Sequence, residues 1–448
     1  MDKKKVLLIC YDYWPIGSPH AYRWSAIAEQ WSEQGHQVDV VALGKPGLPS
    51  QECIRGVRVY RAGGHLMEKW RSRLTSAGAG ASSSNGMNLP ASNRTRSTLK
   101  HIVGRWLRVI HDSTWKKLYW PDYACLWQRH ALRQAEALYR QAGYDYLVSV
   151  SHPFTCHLIA QRMKQNHPDI TWLVDVGDPF CLLKETPTNN HALYERKNVH
   201  AEGEVFGLAD AIGITPEAIA SYKALFPQSA HKMHVIPPML SMKMLHATAE
   251  EPRRLRQGQV IKLVFIGTLY RSIRNPETML RLFESMLQTS YGEQLQLHVY
   301  GNLNDCRDLF TPYEALISDK IIVHGVVEHH IALQAMREAD ILINISNRTP
   351  LQLPSKVVEY ASTGNRILNL TELESDASAA FYESYPAAMT VHKNAIEQLD
   401  HEQLLQQLLQ FPLLEGEALQ AWMKPYLLES ISTQFYNLLS TQAYCRSV

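Results

Sequence analysis

The chain has 448 residues, 45% hydrophobic and 20% charged, which is the balance of a folded protein of two or three domains and excludes a disordered or coiled-coil chain. Lys plus Arg number 45 against 43 Asp plus Glu, a net charge of +2, so broad phosphate neutralisation of a nucleic acid is excluded as well. Seven scattered cysteines with no C-x-x-C pair argue for a reducing compartment and against zinc.

In chain order, Val6 to Cys10 is an apolar run of buried-strand type, too short for a signal peptide, and it is followed by a Pro- and Gly-containing loop, Asp12 to Pro19. No window reaches 18 apolar residues, so no spanning helix is expected and the expected location is the cytoplasm. Ala21, Trp24, Ile27, Ala28 and Trp31 fall at helical spacing, Gly35 sits where a left-handed cap belongs, and Val38 to Val41 resumes an extended run. This is a βαβ unit opening a parallel sheet. Residues 71–98, rich in Ser, Ala, Gly, Asn, Thr and Arg without apolar periodicity, read as a mobile insertion. Beyond it Arg105, Arg108, Lys116 and Lys117 alternate with Trp106, Leu107, Ile110, Trp115 and Trp120. Such a stretch fits either an amphipathic helix on an anionic membrane surface or plain packing against the first domain. Leu126 to Arg140 resumes a helix, and Leu147 to Val150 and Trp172 to Val174 are short strands.

A second βα rhythm begins after the Pro-rich, charged stretch Pro237 to Gln259, read as a linker. Lys262 to Ile266 is a strand closed by Gly267, and Pro276 to Gln288 is a helix with Met279, Leu280, Phe283 and Leu287 on one face. Strands follow at Leu295 to Tyr300, Ile321 to Val323 and Ile341 to Ile345, each with a loop at its carboxyl end, the edge where open α/β sheets bind ligands. Glu415 to Ser440 reads as one helix kinked at Pro425. The expected division is an acceptor-side domain at 1–240, a nucleotide-sugar domain at 241–415, and a helix at 416–448 that returns towards the first domain.

The segment from Ser346 to Arg366 carries the most chemistry. A strand ends, a polar loop follows, and Pro354-Ser355 opens a helix that Gly364 closes. Free amides at a helix start favour an anion, Lys356 adds a charge, and Glu359 could accept two hydrogen bonds from a ribose diol. Equally, Lys356 and Glu359 fit an ordinary i, i+3 pair on an amphipathic helix.

This segment resembles the nucleotide-sugar signature of GT-B-fold glycosyltransferases, above all the large retaining family often called family four. Val264-Phe-Ile-Gly267-Thr-Leu-Tyr-Arg271-Ser-Ile-Arg274 resembles that family's strand, glycine and basic loop, and His324-Gly325-Val-Val-Glu its glycine turn. Ala339 to Ser346 resembles the strand before the signature, and Gly17 and Gly35-His36 fit the family's opening. The resemblance implies two Rossmann-like doubly wound domains facing each other across a cleft. It implies transfer of a sugar, with retention, from a nucleoside diphosphate sugar to a glycan or lipid-linked acceptor in polysaccharide synthesis, without a metal or other cofactor. Donor contacts fall on Gly17, Arg271, Arg274, Gly325, Ser355, Lys356 and Glu359.

Two departures stand out: Leu351 occupies the place of the signature's first glutamate, and Thr268 that of the basic residue after the strand glycine. Asn347, Gln352 or backbone would then contact the donor sugar, and Arg271 and Arg274 would supply the charge. With no D-x-D pair, the departing diphosphate is left to Arg271, Arg274, Lys356 and helix amides. In the first domain His152 ends a strand and reads as a contact to the transferred sugar or as a capping residue. Asp175 and Asp178 end the next strand, and one of them, Asp178 by preference, orients an acceptor hydroxyl or merely shapes a turn. Two other classes share the fold: a nucleotide-sugar 2-epimerase, which Leu351 disfavours, and a non-catalytic binding subunit, which Leu351 favours and the intact basic residues oppose.

Overall fold

A computed structural model describes residues 3–64, 118–240, 259–354 and 356–447. The expected insertion at 71–98, the basic aromatic stretch as far as Lys117, most of the linker, and Ser355 lie outside the described residues. The chain packs as two units: residues 1–215, 219–235 and 434–448 form the first, and residues 216–218 and 236–433 the second.

The first unit has eight strands: β1 (Lys5–Ile9), β2 (Gln37–Leu43), β3 (Gln51–Ile54), β4 (Val57–Ala62), β5 (Tyr146–Ser151), β6 (Thr171–Val176), β7 (Ala211–Ile214) and β8 (Met233–Val235). Their spatial order is β3-β4-β2-β1-β5-β6-β7-β8, and every pairing is parallel except β3 with β4. Val6 to Ile9 and all of β5 and β6 are buried without alternation, as in a sheet covered on both faces. Helices α1 (Pro19–Glu33), α2 (Gln128–Ala142), α3 (Thr155–Asn166), α4 (His191–Leu208) and α5 (Pro216–Leu225) alternate with the strands. Ser18 caps α1, its Oγ accepting from the Ala21 amide at 3.1 Å, and the face made of Ala21, Trp24, Ile27, Ala28 and Trp31 is buried. Gly35, at φ +92°, lets the chain turn out of that helix.

The second unit has six strands: β9 (Ile261–Ile266), β10 (Leu295–Tyr300), β11 (Ile321–Gly325), β12 (Ile341–Ile345), β13 (Arg366–Thr371) and β14 (Ala388–His392). All pair in parallel in the order β11-β10-β9-β12-β13-β14, the 3-2-1-4-5-6 arrangement of a Rossmann sheet. Helices α6 (Glu277–Met286), α7 (His329–Glu338), α8 (Lys356–Ala361), α9 (Ala377–Tyr382) and α10 (His401–Gln410) follow in turn. Alternate strand residues feed two cores: Leu263 and Phe265 pack with α6 and α10, whereas Val264 and Ile266 pack with α7 and α8. The sheet is therefore doubly wound.

The single kinked helix expected at the C-terminal end is in fact two. α11 (Gly416–Met423) and α12 (Leu428–Ser447) are separated by a 3-10 turn at Lys424–Tyr426, because Pro425 has no N–H to continue the ladder. From Gln434 onward α12 belongs to the first unit, where Phe435 lies 4.9 Å from Trp24 and Tyr436 stacks on His36 at 4.7 Å. Among the described residues no helix is long and apolar enough to cross a membrane.

Each sheet reverses its strand order once, between β1 and β5 in the first unit and between β9 and β12 in the second. Connections leave to opposite sides there, opening a crevice at the carboxyl ends of those strands.

Candidate functional site

In the second unit the loops after β9 and β12 are tied together at the reversal. The Arg348 amide donates to Ile273 O at 3.1 Å, Arg348 Nη1 to Arg271 O at 3.3 Å, and Arg274 Nη2 to Asn347 Oδ1 at 2.9 Å. α8 is pinned to the same place: the Ile266 amide donates to the Tyr360 hydroxyl at 2.8 Å, and that hydroxyl donates to Ile266 O at 3.3 Å. Glycine is required beside it, since a Cβ on Gly301, at φ +125°, would stand 2.1 Å from Gly267 O.

The two arginines of the β9 loop, alike in sequence, differ in surroundings. Arg271 is exposed and already engaged, with Nη2 2.5 Å from Asp308 Oδ1 and 3.1 Å from Asp305 O. Arg274 is half-buried against Gly267, its Nη1 reaches Thr268 O at 3.4 Å, and its Nε is buried without a partner. No carboxylate pairs with it among the described residues, and burial pushes its guanidinium below its ordinary pKa. A guanidinium keeps its charge even so, and a buried charge without a counter-ion is costly until an anion arrives.

Lys356 Nζ lies 2.5 Å from Glu359 Oε2, with the side chains 26% and 16% exposed, so this is not a solvated surface pair. α8 starts at Lys356 and is only six residues long, so its dipole adds little and the charge at this end is that of Lys356 itself. Gly364 closes the helix region at φ +74°, where a Cβ would stand 2.0 Å from Leu414 O. Gly325 lies at the end of the edge strand β11, two strands from β9, and its φ of +70° with its carbonyl accepting from the Gly301 amide at 2.7 Å accounts for the residue type.

In the first unit His152 follows β5 at the reversal point, with its ring 5.6 Å from Tyr123. Burial lowers its pKa, against the opposing pull of Asp122 and Asp178, leaving a neutral imidazole. The chain just after it is braced by Asp122, which is wholly buried and accepts from Thr155 N at 2.9 Å, Thr155 Oγ1 at 2.7 Å and Ala124 N at 2.9 Å. The carboxylates of Asp175, in β6, and Asp178, just after it, separate into different roles. Asp175 is buried and holds Trp24 Nε1 at 2.6 Å, whereas Asp178 is one-third exposed and bonds His20 Nε2 at 3.0 Å. Gly17 is exposed in the β1 loop with ordinary φ, and a Cβ there would meet only the Tyr22 hydroxyl at 3.2 Å.

Two residues escaped sequence reasoning, Tyr360 and His20. Each acts through a partner far along the chain, 94 residues away for Tyr360 and 158 for His20, so no local pattern marks them.

No family model matches the chain. No curated protein matches it either. Solved structures do. A sucrose-phosphate synthase from Thermosynechococcus elongatus is 14% identical, with 98% of this chain and 99% of that chain covered at a TM-score of 0.62. A UDP-forming α,α-trehalose-phosphate synthase from Burkholderia vietnamiensis is 13% identical over 98% and 97%, TM-score 0.56, and a glycosyltransferase from Rickettsia africae 10% identical over 99% of each chain, TM-score 0.57. At these identities the likeness speaks for the fold: two Rossmann-like units in the GT-B manner, as the resemblance implied.

Proposed function

We propose that the protein is a glycosyltransferase that moves a sugar from a nucleoside diphosphate sugar to a glycan or lipid-linked acceptor, with the donor held at the carboxyl ends of β9 and β12. The observation that carries this reading is Arg274, a half-buried cation at the strand-order reversal with an unpartnered Nε and no carboxylate partner among the described residues. Lys356 is the second cation and Glu359 the group for the ribose diol. As the bond from the anomeric carbon to the diphosphate breaks, negative charge grows on the diphosphate, and fixed cations there stabilise the transition state more than the ground state. One structural neighbour is titled UDP-forming, the kind of leaving group such a site would hold.

The finer terms belong to the same proposal. The diphosphate charge is met by Arg274 and Lys356 rather than by a divalent ion, and the anomeric configuration is retained, as the resemblance implies. The acceptor is met by the first unit, where neutral His152 contacts sugar hydroxyls. Work on a lipid-linked acceptor at the inner face of a membrane rests on the basic aromatic stretch, of which only its end is described. There Trp120 is tucked under Lys197, whose Nζ lies 3.8 Å from the ring centroid, and bonds Asn198, an arrangement that favours plain packing for this one tryptophan.

The test is thermal melting of the purified chain with UDP and with GDP. A ligand that binds only the folded state raises the midpoint with concentration. A rise with one of them supports the reading, and no rise with either contradicts it.

A further inference from the structure

Two large aromatic rings stand in solvent at the carboxyl end of β1: Trp14, in the loop, is 39% exposed, and Tyr22, near the start of α1, is 44% exposed. Trp24, Trp31, Trp127 and Trp172 are sealed in the core, so leaving these two rings in water forgoes a gain the rest of the unit takes. The rings lie together, with centroids 5.9 Å apart and planes inclined at 53°. They are also held. The Trp14 amide donates to Ser25 Oγ at 3.2 Å, and its carbonyl accepts from Arg61 Nη2 at 2.7 Å. Both Ser25 and Arg61 are buried, and Glu52 fixes Arg61 in turn. The Tyr22 hydroxyl rests against Gly17, where a Cβ would stand 3.2 Å from it. Charges beside the rings come in pairs of opposite sign. Lys45 Nζ lies 3.3 Å from Asp12 Oδ1, with both side chains about one-quarter exposed, and Glu52 and Asp178 face Arg61 and His20.

We propose that Trp14 and Tyr22 form a stacking platform for a pyranose ring of an uncharged glycan. Such a ring has an apolar C–H face and a rim of hydroxyls, so it calls for a fixed aromatic surface with donors and acceptors close by. Here the surface is the inclined pair of rings, and Asp12 and Lys45 offer an acceptor and a donor in the same loop and beside it. The platform stands at the strand-order reversal of the first unit, the edge where open α/β sheets take ligands. An anionic membrane surface would instead call for an excess of cations, which paired charges do not supply. The inference rests on the glycosyltransferase reading only in making this glycan the acceptor, and binding to the first unit needs no donor.

The experiment is saturation-transfer NMR, followed by calorimetry, of the full chain with maltotriose, cellotriose, chitotriose and mannotriose and no nucleotide present. At least one of them should bind, with transfer strongest to the C–H protons on one face of a ring. Trp14→Ala and Tyr22→Ala should each weaken that binding at least about fivefold, as truncation of an aromatic anchor does. Trp14→Phe keeps a flat ring and should retain most of the affinity, which separates stacking from a folding defect. Failure of all four oligosaccharides to bind the wild type, or equal binding by Trp14→Ala and Tyr22→Ala, overturns the inference. Flotation with phosphatidylcholine or phosphatidylglycerol vesicles that depends on Trp14, without oligosaccharide binding, overturns it in favour of a lipid surface. If an oligosaccharide binds through these rings while neither UDP nor GDP binds, the platform stands and the glycosyltransferase reading fails.

Discussion

Lys356 and Glu359 form an ion pair one turn apart on a six-residue helix, Nζ to Oε2 at 2.5 Å, at the point where the sheet of the second unit reverses its order. On the proposed reading the pair couples the two halves of a nucleotide, its cation serving the diphosphate and its carboxylate the ribose.

That coupling is measurable. Lys356→Ala is expected to weaken nucleoside diphosphate binding by about 1.5 to 3 kcal/mol, since it removes a charged hydrogen bond and leaves Glu359 unpaired to repel the anion. In a Glu359→Gln background the repulsion is gone, so the same substitution should cost less, by at least about 0.5 kcal/mol. Calorimetry on the four proteins of the cycle decides it, and strict additivity would mean the pair does not sit beside the nucleotide.

Glu359→Gln by itself separates the ribose from the phosphates. Affinity for the nucleoside diphosphate should fall while affinity for free pyrophosphate holds or improves, because the variant loses a hydrogen-bond acceptor for the diol and a negative charge near the anion. Equal losses for both ligands would remove the ribose assignment.

Tyr360 joins α8 to the end of β9, and its role is one of stability. Tyr360→Phe deletes the hydroxyl to which the buried Ile266 amide donates and leaves that N–H unsatisfied, which costs about 1 to 3 kcal/mol. Denaturant unfolding should show a lower midpoint with an unchanged slope. A midpoint equal to that of the wild type would mean that water or another acceptor replaces the hydroxyl.

His157 gives the fold an acid sensitivity. It is buried, its Nδ1 lies 2.8 Å from Ser149 Oγ, and burial, with a smaller contribution from His152, lowers its pKa to about 3. The unfolded chain therefore takes up a proton near the ordinary histidine value that the folded chain refuses. The stability due to the neutral ring is fully present above about pH 6.5 and is lost as pH falls from there towards about 3, with a slope of up to ~1.4 kcal/mol per pH unit. His157→Gln should reduce the acid-side slope of unfolding free energy by close to one proton. An unchanged slope would show that the ring is protonated in the fold.

How much of this could be read in advance follows from chemistry. β1, β5, β9 and β12 are mainly apolar runs and β10 alternates apolar with polar residues, so their pattern is local. β13 and β14 are harder to see because Asn369 and Thr390 interrupt them. Across the sheet Asn344 Nδ2 donates to Asn369 Oδ1 at 2.7 Å and Asn369 Nδ2 to Thr390 Oγ1 at 3.2 Å, so residues that look like loop are a satisfied ladder inside a sheet. The β3 to β4 hairpin turns at Arg55 and Gly56, both at positive φ, where an Asn-Gly pair would have announced it. In the candidate site, Lys356 and Glu359 share one motif, and their i, i+3 pairing is readable from the sequence. Arg271 and Arg274 could not be ranked, because what separates them is Asp308 on one side and burial beside Gly267 on the other. His20 was hidden as a first-turn residue of a helix whose partner lies beyond β6.

The most direct test of a donor site at the β9 to β12 reversal is isothermal calorimetry of wild-type and Arg274→Ala protein with UDP and GDP. The expected result is one-to-one binding of at least one nucleotide by the wild type and a loss of about 1.5 to 3 kcal/mol in the variant. Binding of equal strength in both proteins, or no binding by the wild type, would contradict it.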